Sequence, residues 1–250
     1  VVLRDADPYQ RAVTTHWCGD WRNAEPRICA QDAIGYLTID AYHGGNVLLA
    51  DLLAESVIDP GKPDRGIGRY GKPAFVSEFG GSAFACPLPR LEAEHATGPW
   101  VGLVTGHAAA PMLWWFEWID QNQRYGVYRA VNGFLAGEDL RGGSPRIIAT
   151  LPTEDPLWCR GWDTGARILV YLHDPAWGRQ GGAGTARSHT RLALTDLAPG
   201  RWTLECWDAE GAGLRGRRSI DHGGGTLVVD LPAWKRHLAC KLVRDETAAR

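Results

Sequence analysis

The chain has 250 residues, 44% apolar and 22% charged, which fits one large globular domain or two modest ones with room for a buried core. With 27 Lys and Arg against 29 Asp and Glu, the net charge of -2 argues against nucleic acid as a partner, because a polyanion selects a basic surface. No apolar run approaches membrane-spanning length, so no membrane partner is expected.

The first predicted strand covers residues 12–15 and the second residues 37–42. Asn46 is the predicted N-cap of a helix whose stripe is Leu48, Leu49, Leu52, Leu53 and Val57. Gly66-Ile67-Gly68-Arg69-Tyr70-Gly71 has dinucleotide-loop spacing, but it follows the loop Asp59-Pro60-Gly61-Lys62-Pro63 and precedes a strand. That context is the reverse of what a nucleotide site needs, so none is expected. A third strand follows at 73–78, a helix at 91–106, a fourth strand at 110–115 and a last helix at 124–137. Strands alternating with helices predict parallel βαβ units.

From 141 to 156 the pattern stops and Gly, Pro and Thr dominate, as in a linker. Beyond it the period becomes two, with strands expected at 157–162, 167–173, 190–194, 201–207, 226–231 and 237–243. Turn signals such as Ala198-Pro199-Gly200 and Gly223-Gly224-Gly225 separate them, and residues 181–184 belong to a long loop. The expected organisation is an α/β domain over 1–140, a linker over 141–156 and an antiparallel β-sandwich over 157–245.

Cysteine and metal signals are weak. The six Cys are scattered, with no C-x-x-C pair and no Cys/His cluster at zinc spacing. Most read as buried small hydrophobes, and one or two disulfides stay open. Twelve Trp against five Phe and one Met is the oddest feature. An indole offers a flat face and one N–H for stacking on a sugar ring, or alternatively fills a core. Residues 1–5 offer neither an initiator Met nor a signal peptide, which reads as a processed or truncated chain.

Glu78, in Ser77-Glu78-Phe79-Gly80, stands at the carboxyl end of an apolar strand. In a parallel α/β barrel that end is where catalytic groups gather. Gly80-Gly81 lets the backbone turn away and keeps the carboxylate open. The alternative is a strand-end Glu paired with an Arg.

Lys72-Pro73-Ala74-Phe75-Val76-Ser77-Glu78-Phe79-Gly80 resembles the seventh-strand motif of retaining clan A glycoside hydrolases, the cellulase and mannanase type of (β/α)8 barrel. Asp7-Pro8-Tyr9-Gln10-Arg11-Ala12-Val13-Thr14-Thr15-His16 resembles the fifth strand and its approach, and Asp40-Ala41-Tyr42 sits where many members show His-x-Tyr. Pro111-Met112-Leu113-Trp114-Trp115-Phe116-Glu117-Trp118 resembles the Trp-rich eighth strand. The segment from Pro199 to Asp208 is similar to a β-sandwich often appended to such barrels and named for collagen binding. The resemblance implies the C-terminal half of a (β/α)8 TIM barrel, strands five to eight, followed by the sandwich. It implies that strands one to four, with the Asn-Glu acid/base motif, precede residue 1, so that this chain alone lacks its acid/base.

The implied function is retaining hydrolysis of a β-linked poly- or oligosaccharide, with Glu78 as nucleophile and no cofactor or metal. Retention needs two carboxyl groups about 5–5.5 Å apart, one charged and one protonated. Tyr42, one strand over, is expected to hold Glu78 by a hydrogen bond, or else to pack at the barrel mouth. Trp115 is the expected sugar platform, with Trp114 facing the other way. Asp40, His16 and Trp17 are candidate cleft residues. Glu117 is open between a substrate contact, an acid/base role and a plain salt bridge. His107 is read as structural, and the basic run Arg215-Gly216-Arg217-Arg218 as a solvated loop. The resemblance implies secretion or a periplasmic location. The alternatives are a non-catalytic carbohydrate-binding or scaffolding protein, and an oligomer that completes the barrel from two chains; oligomeric state is left open.

Overall fold

The computed structural model describes residues 6–19, 21–82, 84–152, 156–211 and 213–245, so the expectation for residues 1–5 lies outside the described residues. Three parallel strands come first: β1 (Val13–Trp17), β2 (Ile34–Ala41) and β3 (Ala74–Phe79), in that spatial order. Helix α1 (Pro26–Cys29) lies between the first two and α2 (Leu49–Val57) between the second and third. Leu37, Ile39 and Ala41 are fully buried on one face of β2, while Thr38 and Asp40 alternate to the other. Leu49, Leu53 and Val57 of α2 enter the same core as the predicted stripe. The helix N-cap is Leu48 rather than Asn46, and no side chain caps it.

Helix α3 (Leu88–Val104) follows β3 and leads to Leu113. There the predicted fourth strand forms only a single parallel bridge, Phe79↔Leu113, fixed by Phe79 N–H to Met112 O at 3.0 Å and Trp114 N–H to Phe79 O at 2.8 Å. Pro111 has no N–H for a ladder, and Trp115 already caps α4 (Phe116–Gln121), so the extended run is cut at both ends. Helix α5 (Gly126–Leu135) closes this region.

The remaining chain is antiparallel. The segment 141–156 supplies β4 (Ser144–Ile147) and β5 (Ala149–Leu151), which enter two different sheets although its Gly and Pro content hides any period. The expected strands appear as β6 (Trp158–Asp163), β7 (Arg167–His173), β9 (Arg191–Leu197), β10 (Gly200–Trp207), β12 (Gly225–Asp230) and β14 (His237–Arg244). Three elements carry no sequence signal read above: α6 (Pro175–Gln180), β8 (Ala186–Arg187) and β13 (Trp234–Lys235). The basic run is corrected: it lies in an edge strand, β11 (Leu214–His222), not a loop. Charge all along that strand erases the alternation, and it also protects an exposed edge.

A six-stranded sheet in the order β11-β10-β14-β7-β6-β4 faces a three-stranded sheet in the order β12-β9-β5. Alternation on β7 divides its side chains between two cores. Ile168, Val170 and Leu172 fill the space between the sheets, whereas Leu169 and Tyr171 join the core of the parallel region. Trp100 of α3 is fully buried at that junction. Its ring stacks on Tyr171 at 5.7 Å and its N–H reaches Ala209 O at 3.1 Å. Lys241 of β14 is buried on the same side, pairs with Glu138 at 2.6 Å and lies 4.8 Å from the Phe134 ring centroid. All six Cys are free thiols; Cys206 and Cys240 oppose each other across β10 and β14 with sulfurs 3.7 Å apart. No described helix is long and apolar enough to cross a membrane.

Candidate active site

The carboxyl ends of β1, β2 and β3 carry His16, Asp40 and Glu78 side by side. Strict alternation would give Glu78 the parity of Ala74 and Val76, both buried against the helices. The register instead shifts between Ile39 and Asp40: Ile39 opposes Val76, but Asp40 opposes Glu78. Ser77 is the extra residue of this bulge, and its hydroxyl donates to Ile39 O at 3.2 Å. Phe79 then returns to the core, fully buried, and Glu78 is left beside Asp40 on the face away from the helices.

Tyr42 follows β2, and its hydroxyl donates to Glu78 Oε2 at 2.9 Å. Burial, and then the neighbouring Glu78 carboxylate, push the Tyr42 hydroxyl well above its ordinary value. It therefore stays a donor throughout the working pH range. His16 Nε2 lies 2.6 Å from Asp40 Oδ1; the His16 side chain is 41% exposed and the Asp40 side chain only 4%. Donor atoms of His16, Asp40 and Glu78 all fall within 4.8 Å of one another, so these three residues could also hold a divalent cation.

Trp115 stands over the turn that ends β3. Its indole N–H donates to Gly80 O at 2.8 Å. Gly80 and Gly81 have φ of 137° and 70°, and a Cβ at Gly80 would fall 2.8 Å from Trp115 Cδ1. Only glycine allows this close approach of backbone and ring. Trp114 is 42% exposed and meets Phe116 edge-on, with ring centroids 6.1 Å apart.

Two candidates are not brought into this group. Trp17 is half-buried against the core of the parallel region, opposite in alternation to His16. Glu117 lies in the first turn of α4, exposed, beside an apolar cavity of about 660 Å³ lined by Met112, Phe116 and Tyr125. His107 is built into the end of α3: its backbone N–H bonds Gly102 O at 3.1 Å and its Nδ1 lies 3.1 Å from Thr105 Oγ1. The Gly66 motif forms a single 3-10 turn over Ile67–Tyr70, with Gly66 packed so closely that a Cβ would meet Val57 O at 2.4 Å.

Sequence reasoning missed the residues that flank the pair from behind. Glu94 of α3 is buried, accepts from Gly81 N–H at 2.9 Å and from Arg90 Nε at 2.8 Å, and lies 3.2 Å from His43 Nε2. A glutamate in a helix interior gives no local sign of such a role.

The arrangement holds one half-buried carboxylate at the strand ends, with a neutral donor fixing one of its oxygens. No protein-family profile matches the sequence, and no curated protein matches it. Solved structures do. One is a glycoside hydrolase family 5 protein from Bacteroides vulgatus, with TM-score 0.59, 11% identity, and coverage of 97% of this chain and 57% of that one. Another is described only as a glycoside hydrolase, with TM-score 0.58, 10% identity, and coverage of 96% and 59%. The chain thus spans less than two thirds of the length of either. At such low identity the likeness is one of fold: this chain folds like part of those barrel enzymes.

Proposed function

We propose that the chain carries the nucleophile half of a retaining β-glycosidase, with the parallel strands and Leu113 as strands five to eight of a (β/α)8 barrel. On this reading residues 1–140 are the partial barrel, 141–156 connect it, and 157–245 form the appended sandwich. The observation that carries it is the hydrogen bond from Tyr42 to Glu78 at the carboxyl ends of parallel strands. In the first step a Glu78 oxygen bonds to the anomeric carbon, the glycosidic C–O bond breaks, and the leaving oxygen takes a proton from an acid. In the second step water attacks that carbon, loses a proton to the conjugate base and frees Glu78.

Tyr42 holds one Glu78 oxygen in place and leaves the other free to attack. Trp115, half-buried beside the Gly80 turn, is the ring that would meet the sugar; Asp40 and His16 stand at the neighbouring strand ends, and the exposed Trp114 follows the Leu113 bridge. The substrate class is a β-linked poly- or oligosaccharide, met outside the cell or in the periplasm. The acid/base comes from the other half of the barrel.

An activated substrate removes the need for that acid. With dinitrophenyl β-cellobioside and β-mannobioside, whose leaving group departs unprotonated, this chain is expected to release dinitrophenolate. Glu78→Gln is expected to lower the rate by about 1000-fold or more. Equal release by Glu78→Gln overturns the nucleophile assignment. A second reading, a non-catalytic carbohydrate-binding or scaffolding protein, draws on the exposed Trp114. It predicts oligosaccharide binding that is lost in Trp114→Ala, with no release by either form.

A further inference from the structure

The two strand ends that carry Tyr42 and Glu78 continue into separate loops, and α3 grips both. His43, the residue after Tyr42, donates its backbone N–H to Gly81 O at 2.7 Å. Gly81, three residues after Glu78, donates its own N–H to Glu94 Oε2. Glu94 Oε1 accepts from Arg90, one helical turn earlier on α3, and faces His43 Nε2.

The Arg90 fork completes the loop side. One terminal nitrogen donates to His43 Nδ1 at 2.9 Å and to Val47 O at 2.8 Å, and the other donates to Gly45 O. A guanidinium has no acceptor, so Nδ1 of His43 must accept, and the ring proton sits on Nε2 facing Glu94. The side chains of Glu94 and Arg90 are 1% and 11% exposed. Burial alone would raise the Glu94 carboxyl, but hydrogen bonds from His43 and Arg90, together with the Arg90 charge, overcome it and hold the group below the ordinary glutamate range. Cys86 is the other titratable group beside this carboxylate; burial, and then Glu94, push its thiol up to about 11.

We propose that Glu94, clamped by Arg90, is a positioning residue that fixes the Tyr42 loop and the Glu78 turn against each other and so sets the Tyr42–Glu78 hydrogen bond. Neither group reaches substrate. They act through two backbones, one anchored at Gly81 and the other at His43, Gly45 and Val47. The proposal rests on Glu78 being the nucleophile, but its test does not depend on hydrolysis.

The test is NMR of protein carrying 13C-labelled Glu carboxyls and Tyr rings, at pH 7. The Glu78 and Tyr42 resonances are assigned from Glu78→Gln and Tyr42→Phe. Tyr42→Phe is expected to move the Glu78 carboxyl resonance. Glu94→Gln, which keeps the shape but loses one accepting oxygen, is expected to move it the same way by at least about half as much, and to move the Tyr42 ring carbon bearing the hydroxyl. In the double variant the two changes should not add, since both remove one hydrogen bond. The first-order rate of the dinitrophenolate burst should fall about 100-fold in Glu94→Gln, with substrate affinity within about twofold.

If Glu94→Gln folds, by near-UV circular dichroism, and both resonances stay in place, the positioning role is overturned while the nucleophile assignment stands. If Tyr42→Phe leaves the Glu78 resonance unmoved, the hydrogen bond itself is absent and the proposal falls. Loss of activity in Glu78→Gln is a separate outcome that neither result touches. Should Glu94→Gln not fold, Arg90→Lys carries the same expectation, because it keeps the charge and loses the fork.

Discussion

The open end of the parallel strands and the core between the two antiparallel sheets use alternation in opposite ways. In β7 every residue from Ile168 to His173 is buried, and strict parity sends Ile168, Val170 and Leu172 to one core and Leu169 and Tyr171 to the other. In β3 parity fails at a bulge, and the failure delivers Glu78 to the face that Val76 avoids. The paired antiparallel sheets gain stability from regularity; one irregular step in the parallel strands sets a carboxylate beside Asp40. A bulge costs ladder pairing and packing, and it persists here because the turn at Gly80-Gly81, the Trp115 ring and the Tyr42 hydroxyl all hold the bulged segment.

The largest effect should come from the junction that joins these regions. Trp100→Ala removes an indole that is fully buried, stacked on Tyr171 and bonded to Ala209. It is expected to cost about 4 kcal/mol in urea unfolding, monitored by tryptophan fluorescence and by far-UV circular dichroism. If the parallel and antiparallel regions then unfold in separate steps, the shared core is what makes them one cooperative unit; a loss under about 1 kcal/mol would break the comparison.

A pH scan sharpens it next. His173 is fully buried on β7, and burial first of all pushes it down from its ordinary 6.5 to about 3. A depressed histidine contributes stability that is fully present above pH 6.5 and is lost as pH falls through that value toward 3, because the unfolded chain binds a proton that the folded chain refuses. The melting temperature is therefore expected to drop between pH 7 and pH 4.5. His173→Gln should flatten that slope; an unchanged slope would assign the acid sensitivity elsewhere.

Tyr42→Phe separates the two regions by function. It removes one hydroxyl from the open end, so stability should change by about 1 kcal/mol or less while release from the dinitrophenyl glycoside falls about 10- to 100-fold. Equal losses in both measurements would make Tyr42 a packing residue. The smallest effect belongs to the charged edge strand. Arg217, paired with Glu205 at 3.4 Å and well exposed, should tolerate Arg217→Ala with a change under about 0.5 kcal/mol.

The strands of the antiparallel region are largely legible in the sequence. Strands at 167–173, 201–207 and 237–243 are legible to within a residue because each has at least one continuous apolar face and turn signals bound them. The edge strand Leu214–His222 was not, since a strand with neither face buried has no period to read. In the parallel region the strands and long helices were legible, but the run 110–115 looked like a strand and formed only the Leu113 rung. Apolar content cannot count hydrogen-bond partners, and Pro111 and the start of α4 removed them.

For the site, adjacent strands and a strand-end acid were enough to bring Tyr42 to Glu78. They were not enough to find the His16–Asp40 pair at 2.6 Å, nor the grip of Arg90 and Glu94 from α3, whose partners in the two loops lie 13 to 47 residues away in the chain.

What the sequence by itself determined is a list of apolar periods, the residue types available for chemistry, and the points where the chain must turn. Which face Glu78 occupies was not among them: strict period two from Val76 points to the core, the strand-end position beside Gly80-Gly81 points to the open end, and a single extra residue decides between them. The tertiary structure decided it, because the hydrogen bonds that stabilise one register over another run between strands and helices that no local pattern connects.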